Sequence, residues 1–188
     1  MGFGQLFIKK YFGLVICTTH KVAFGMFKIL NKIIIGGKNM SKGTEAEKLF
    51  KEGYNCSQAV IGAFCDELDL DRETAFKIAS SFGGGMGRMR EVCGAVSGMF
   101  MVAGLKLGYS SPTDNDAKKA HYALIQKMAK KFKDENGAIV CRELLGGTAD
   151  TGSTPTPRTE SFYKKRPCGE YVRMAADIAE EVINEMDI

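Results

Sequence analysis

Six of the 188 residues are cysteines, and four of them fall where a thiol can do chemistry. Cys56 follows Asn55, a good helix cap; Cys93 opens the small, apolar run CGAVSGMF; Cys141 opens CRELLG; Cys168 follows Pro167, a residue favoured at helix starts. Each is predicted at a helix N-terminus, where unpaired amides and the helix dipole favour negative charge. A thiol so placed is expected to be depressed toward thiolate, with Arg88 and Arg90 before Cys93, Arg142 after Cys141 and Arg166 before Cys168 acting the same way. Thiolate is the form that attacks disulfides, gives up electrons or binds a metal. No pair has CxxC spacing, which argues against a thioredoxin-type motif and an ordinary zinc ribbon. Cys65 lies about two and a half helical turns from Cys56 and reads as apolar filler.

The elements that must position these thiols read as helices. Residues 44–53 put Ala46, Leu49 and Phe50 on one face before Gly53. Residues 56–68 turn Ala59, Val60, Ala63 and Phe64 inward. Residues 71–81 do so with Ala75, Ile78 and Ala79. The glycine run FGGGMG then connects to residues 92–107, apolar nearly all round and hence the expected buried centre. Ser111-Pro112-Thr113 is expected to cap residues 114–135, with Ala117, Ala120, His121 or Leu124, Met128 and Phe132 inward. CRELLG, residues 141–146, is a short turn, and residues 147–165, rich in Gly, Thr, Ser and Pro, are a long loop. Residues 168–186 close the chain with Tyr171, Val172, Ala175, Ile178, Ala179 and Val182 inward. With no alternating strand pattern, the fold class is all-α: a single-domain bundle of about five main helices with a glycine-rich connector before the central one.

Charge divides the chain unevenly. Residues 1–39 hold six lysines and no acid, while residues 40–188 carry 20 basic against 22 acidic side chains, which leaves the body no electrostatic case for nucleic acid. The first segment is a basic N-terminal extension. Its apolar stretches are too short for a membrane span and poorly arranged for a secretory signal. Gly36-Gly37-Lys38-Asn39 back-translates to a purine-rich ribosome-binding site, so translation is expected to begin at Met40, with a membrane-surface segment as the alternative.

YNCSQAV at 54–60, GGGMG at 83–87 followed by CGAVSG at 93–98, CRELLG at 141–146 and RPCGEYV at 166–172 together resemble the C_GCAxxG_C_C family of redox-active proteins. The resemblance covers nearly all of the body. It implies a redox role through Cys56, Cys93, Cys141 and Cys168, with an iron–sulfur cluster as one implied cofactor. Gly94, Ala95 and Gly98 of the core motif are then candidates to let a cofactor come close.

Two redox mechanisms compete. Either the four thiolates hold an iron–sulfur cluster and pass single electrons, or two of them cycle between dithiol and disulfide as an oxidoreductase would. The alternatives are a zinc ion held by the same four thiolates as a structural staple, and a metal-free interaction module whose cysteines are filler. The expected setting is cytoplasmic, with a redox partner protein of unspecified identity and a homodimer conceivable. His121, the one histidine of the body, reads as a satisfied core or boundary residue.

Overall fold

Short polar side chains start these helices. Ser41 accepts the Thr44 amide ahead of α1 (Lys42–Lys51). Asn55 accepts the Ser57 and Gln58 amides while Gln58 reaches back to the Asn55 N–H at 3.0 Å, a complete capping box ahead of α2 (Cys56–Gly62). Asp71 caps α3 (Arg72–Ser80). Cys93 is the N-cap of α4 (Gly94–Leu107) but lends it no side-chain bond. Asp114, rather than the expected Ser-Pro-Thr, caps α5 (Asn115–Asn136). A one-turn α6 (Cys141–Leu144), α7 (Glu160–Lys165) and α8 (Cys168–Met186) complete the order. In this computed structural model the described residues are 40–147 and 150–186. The expectations for residues 1–39, including Cys17, lie outside them.

The described residues are all-α, with eight helices where about five were expected. Part of the difference is α7, which stands inside the predicted loop 147–165. Thr159 caps it through the Phe162 amide, and Tyr163 meets Phe50 edge to face with ring centroids 5.8 Å apart. The helix predicted over 56–68 ends at Gly62. Beyond it Ala63 and Phe64 donate to the carbonyls three residues back, tightening the chain into turns.

The core forms where α4 packs against α2, α5 and α8, while α8 also crosses α1 and α2. As expected of a central helix, α4 buries Gly94 through Met99 together with Val102 and Ala103. From α8 come Val172, Ala175, Ala176, Ile178, Ala179, Val182 and Ile183. Two inward stripes fall short. Along α5 only Met128 and Phe132 are buried, because its first half runs past the core, leaving Ala120 exposed and Ala117, His121 and Leu124 half-covered. Ile78 of α3 is 54% exposed. His121 is not satisfied: its ring stands edge-on to Tyr109 and its buried Nδ1 has no hydrogen-bond partner. Among the described residues no helix is long and apolar enough to cross a membrane.

Candidate functional site

The close fit of α4 on α2 begins the site. A Cβ on Gly98 would lie 2.9 Å from the Ser57 carbonyl oxygen and 2.9 Å from Val60 Cβ; one on Gly94 would lie 2.7 Å from the Phe82 carbonyl oxygen and 3.1 Å from Cys56 Cβ. The bare glycine face of α4 therefore brings its start, with Cys93, against the start of α2, with Cys56. Cys141 is tied to Cys93 by a single antiparallel bridge between Val92 and Val140. Across it the Cys93 amide donates to the Ile139 carbonyl at 2.8 Å and the Cys141 amide to the Glu91 carbonyl at 2.6 Å. Cys168, first residue of α8, lines the same cavity as Cys56.

All four cysteines line one cavity of about 300 Å³. Cys65 does not: it is buried in the core, its thiol directed at the Ile61 carbonyl 3.6 Å away. Of the three motif residues expected beside a cofactor, Gly94 lines the cavity, whereas Ala95 and Gly98 are packed away from it.

The glycine run forms the cavity's floor by taking a backbone course open to few residues. Gly84, Gly85 and Gly87 have φ of +64°, +71° and +58°, and a Cβ on Gly85 would lie 2.7 Å from Cys141 Cβ. The left-handed course continues through Met86, Arg88 and Arg90, with φ of +57°, +69° and +63°. Side chains resist this region by about 1–2 kcal/mol each. Here the strain is held by the Val92–Val140 bridge and by Arg88 and Arg90, whose guanidinium groups bind Asp150 and Thr156. Nη2 of Arg88 meets the Asp150 carboxylate at 2.9 Å, its Nη1 meets the Thr156 hydroxyl at 3.0 Å, and Nε of Arg90 meets the Asp150 carbonyl at 2.8 Å.

Four arginines line the cavity: Arg88, Arg90, Arg158 and Arg166. Arg158 was invisible in the sequence, since it sits in the Thr/Pro-rich segment with no periodic pattern. It lies 4.4 Å from the Phe50 ring centre and 4.8 Å from that of Phe162, and Nη2 donates to the Tyr54 carbonyl at 3.3 Å. Arg142, expected to act on Cys141, turns outward and forks onto Glu91 through two 2.9 Å bonds.

The thiols do not all become thiolates, contrary to the expectation from helix starts. Burial raises Cys93 to about 12, outweighing the Ala95 and Val96 amides that pull it down. Burial also raises Cys141 despite its hydrogen bond with Arg90. Cys56 is raised well above its ordinary value, chiefly because it donates to Cys168. Cys168 alone is lowered, to about 7, by the Cys56 hydrogen bond first and then by Arg166, Arg158 and Arg90, against the effect of burial. The site therefore separates one thiolate from three protonated thiols.

That separation predicts a pH signature. Between about pH 9 and pH 12 the unfolded chain loses the Cys93 proton while the folded chain keeps it, so stability falls across that window by up to about 1.4 kcal/mol for each pH unit. The lowered Cys168 works oppositely: its contribution is full above about pH 9 and is lost as pH falls through about 7. Thermal melts of the wild-type protein and of Cys93→Ala across pH 8–12 check this, the variant being expected to lose less stability at the alkaline end.

Among the described residues no group of three or more His, Cys, Asp or Glu side chains is arranged to hold a metal ion.

Helices that deliver four thiols to one arginine-lined cavity define an all-α protein built around cysteine chemistry. Residues 54–182 match the family described as "Putative redox-active protein (C_GCAxxG_C_C)", and the chain belongs to that family. No curated protein and no solved structure matches the chain.

Proposed function

We propose that the protein is a dithiol–disulfide redox protein in which Cys168 is the attacking thiol and Cys56 the resolving one. The observation that carries this is the pair itself: two free cysteines from the first turns of α2 and α8 that line one cavity, with Cys168 drawn toward thiolate by Cys56 and by Arg166, Arg158 and Arg90. In the forward step the Cys168 thiolate attacks one sulfur of an oxidised partner disulfide. A mixed disulfide forms and the partner's other sulfur leaves as thiolate. The Cys56 thiol then gives its proton to that leaving group and attacks Cys168, which releases the partner's remaining sulfur as thiolate. The partner disulfide gains two electrons and becomes two thiols, one with the Cys56 proton and the other with a proton taken from solvent; the protein loses two electrons and holds a Cys56–Cys168 disulfide. Such cycling suits a compartment that keeps thiols reduced, which supports a cytoplasmic setting. Cys93 and Cys141, protonated and buried, pack behind the pair.

The number of thiols at the cavity supports a second reading, in which Cys56, Cys93, Cys141 and Cys168 bind an iron–sulfur cluster or zinc. One preparation separates the readings. Protein purified without oxygen is analysed for metal, exposed to a mild disulfide oxidant and digested for site-resolved mass spectrometry. The expected result is metal-free protein that forms a Cys56–Cys168 crosslink and reverses with reductant. Stoichiometric iron with visible absorbance, or stoichiometric zinc, would replace the dithiol reading. Thiols that stay unreacted would leave a packing or interaction role.

A further inference from the structure

The cavity holds more positive charge than its own side chains balance. Arg88 is paired, but with Asp150, whose side chain is 80% exposed at the rim. Arg90, Arg158 and Arg166 have no carboxylate partner among the described residues, and no Asp or Glu lines the cavity. Of the acids in the whole chain only Asp187 lies outside the described residues. Arg90 is only 4% exposed, so solvent does not neutralise it. Nε of Arg88 and Nη1 of Arg158 are buried donors with no acceptor among the described residues. A buried guanidinium without an anion is costly, and an unmade charged hydrogen bond more so than a neutral one. The thiols offer one negative charge near neutral pH, that of Cys168, against three arginines free of carboxylates. Moreover, the connector holds Arg88 and Arg90 in left-handed backbone at a cost that simple packing would not require.

We infer that the cavity is a binding site for a small anionic sulfur compound carrying two or more charged oxygens, held by Arg158, Arg166, Arg90 and the free Nε of Arg88 beside the Cys56–Cys168 pair. Delocalised oxyanions match the planar guanidinium fork, and the cavity volume of about 300 Å³ suits a small molecule better than a protein loop. Two sources share this chemistry: a disulfide bearing carboxylates, and an inorganic sulfur oxyanion with a sulfur–sulfur bond. Attack by Cys168 on either breaks that bond and releases an anionic sulfur leaving group, whose developing charge the arginines stabilise where it forms. The inference deepens the dithiol reading by naming what reaches the pair, and it rests on that reading only for the step at sulfur.

The test separates binding from redox chemistry. The alkylation rate of Cys168 is measured by mass spectrometry with iodoacetate, an anion, and with iodoacetamide, its neutral counterpart, in the folded and the urea-unfolded full chain. The iodoacetate-to-iodoacetamide ratio is expected to be at least tenfold higher in the folded protein, to drop several-fold in Arg158→Gln and in Arg166→Gln, and to fall with added sulfate at constant ionic strength. An equal ratio in the two states overturns the anion site, whether or not a disulfide ever forms. In a second arm the reduced protein is oxidised by 3,3′-dithiodipropionate, tetrathionate, neutral 2-hydroxyethyl disulfide and cationic cystamine. At least one of the two anions is expected to react tenfold faster than the neutral reagent, with cystamine slowest, and whichever anion leads identifies the source. A neutral reagent as fast as both anions also overturns the inference. A raised alkylation ratio with no oxidation by any reagent keeps the anion site and removes the dithiol reading.

Discussion

Cys168→Ser is expected to abolish reversible disulfide formation and to cut thiol alkylation at pH 7 by about tenfold or more. The thiolate at Cys168, lowered to about 7, is roughly half formed at that pH, whereas a thiol at the ordinary value or above is at most about 1% thiolate. Intrinsic nucleophilicity rises with pKa and returns part of that difference, with a Brønsted slope of about 0.4–0.5. Burial withholds the rest, because Cys93 and Cys141 are buried and Cys93 is raised to about 12. The pH profile separates this role from a merely structural one. In the wild-type protein alkylation should rise to a plateau with a midpoint near 7, and in Cys168→Ser the residual reaction should rise only above pH 9. Cys56→Ala gives the intermediate case: without its hydrogen-bond donor Cys168 should titrate higher, toward the ordinary thiol, yet stay below it because Arg166, Arg158 and Arg90 remain. A Cys168 profile unchanged in Cys56→Ala would separate the two thiols and end the proposed pairing.

How much of this was legible in the residues depends on the range over which each feature is decided. Helix starts are local. Asn55 with Gln58, and Pro167 ahead of Cys168, announce α2 and α8, and the placement of Cys56 and Cys168 at helix N-termini follows from such signals. The spacing of Gly94 and Gly98 likewise announces a close helix contact. The Val92–Val140 bridge that joins Cys93 to Cys141 is one residue pair long and leaves no alternation to read. Arg158 and α7 hide in a segment whose composition reads as loop; only the partnership with Phe50, about a hundred positions away, gives them structure. The protonation of the thiols departs from what the helix starts imply for a related reason. A helix dipole can be inferred from sequence neighbours, but desolvation is set by everything that packs around the sulfur, and at Cys93 and Cys141 it is the larger effect.

Gly98→Ala sets two opposed effects against each other, and their sizes determine the sign. In an exposed helix interior alanine is favoured over glycine by about 1 kcal/mol. Here the new methyl would meet the Ser57 carbonyl oxygen and Val60 Cβ, each at 2.9 Å, on a helix pressed against α4. The first of these contacts is backbone, so α2 and α4 must move apart, and overpacking of this kind costs about 1–3 kcal/mol. The net result expected is a loss of about 1–2 kcal/mol, or a fall in Tm of several degrees at roughly 2–4 °C per kcal/mol for a chain of this size. Gly98→Val adds bulk without the propensity gain and should fall further, by about 3 kcal/mol or more. Gly94→Ala adds a chemical readout to the thermal one. Its methyl would lie 3.1 Å from Cys56 Cβ, so parting the helices there moves Cys56 relative to Cys168 and should raise the midpoint of Cys168 alkylation. A Tm that rises in both alanine variants would mean that propensity outweighs contact and that the two helices are not held together at these glycines. A Tm that falls in Gly94→Ala while the Cys168 midpoint stays near 7 would mean that the thiol pair is positioned by something other than this helix contact.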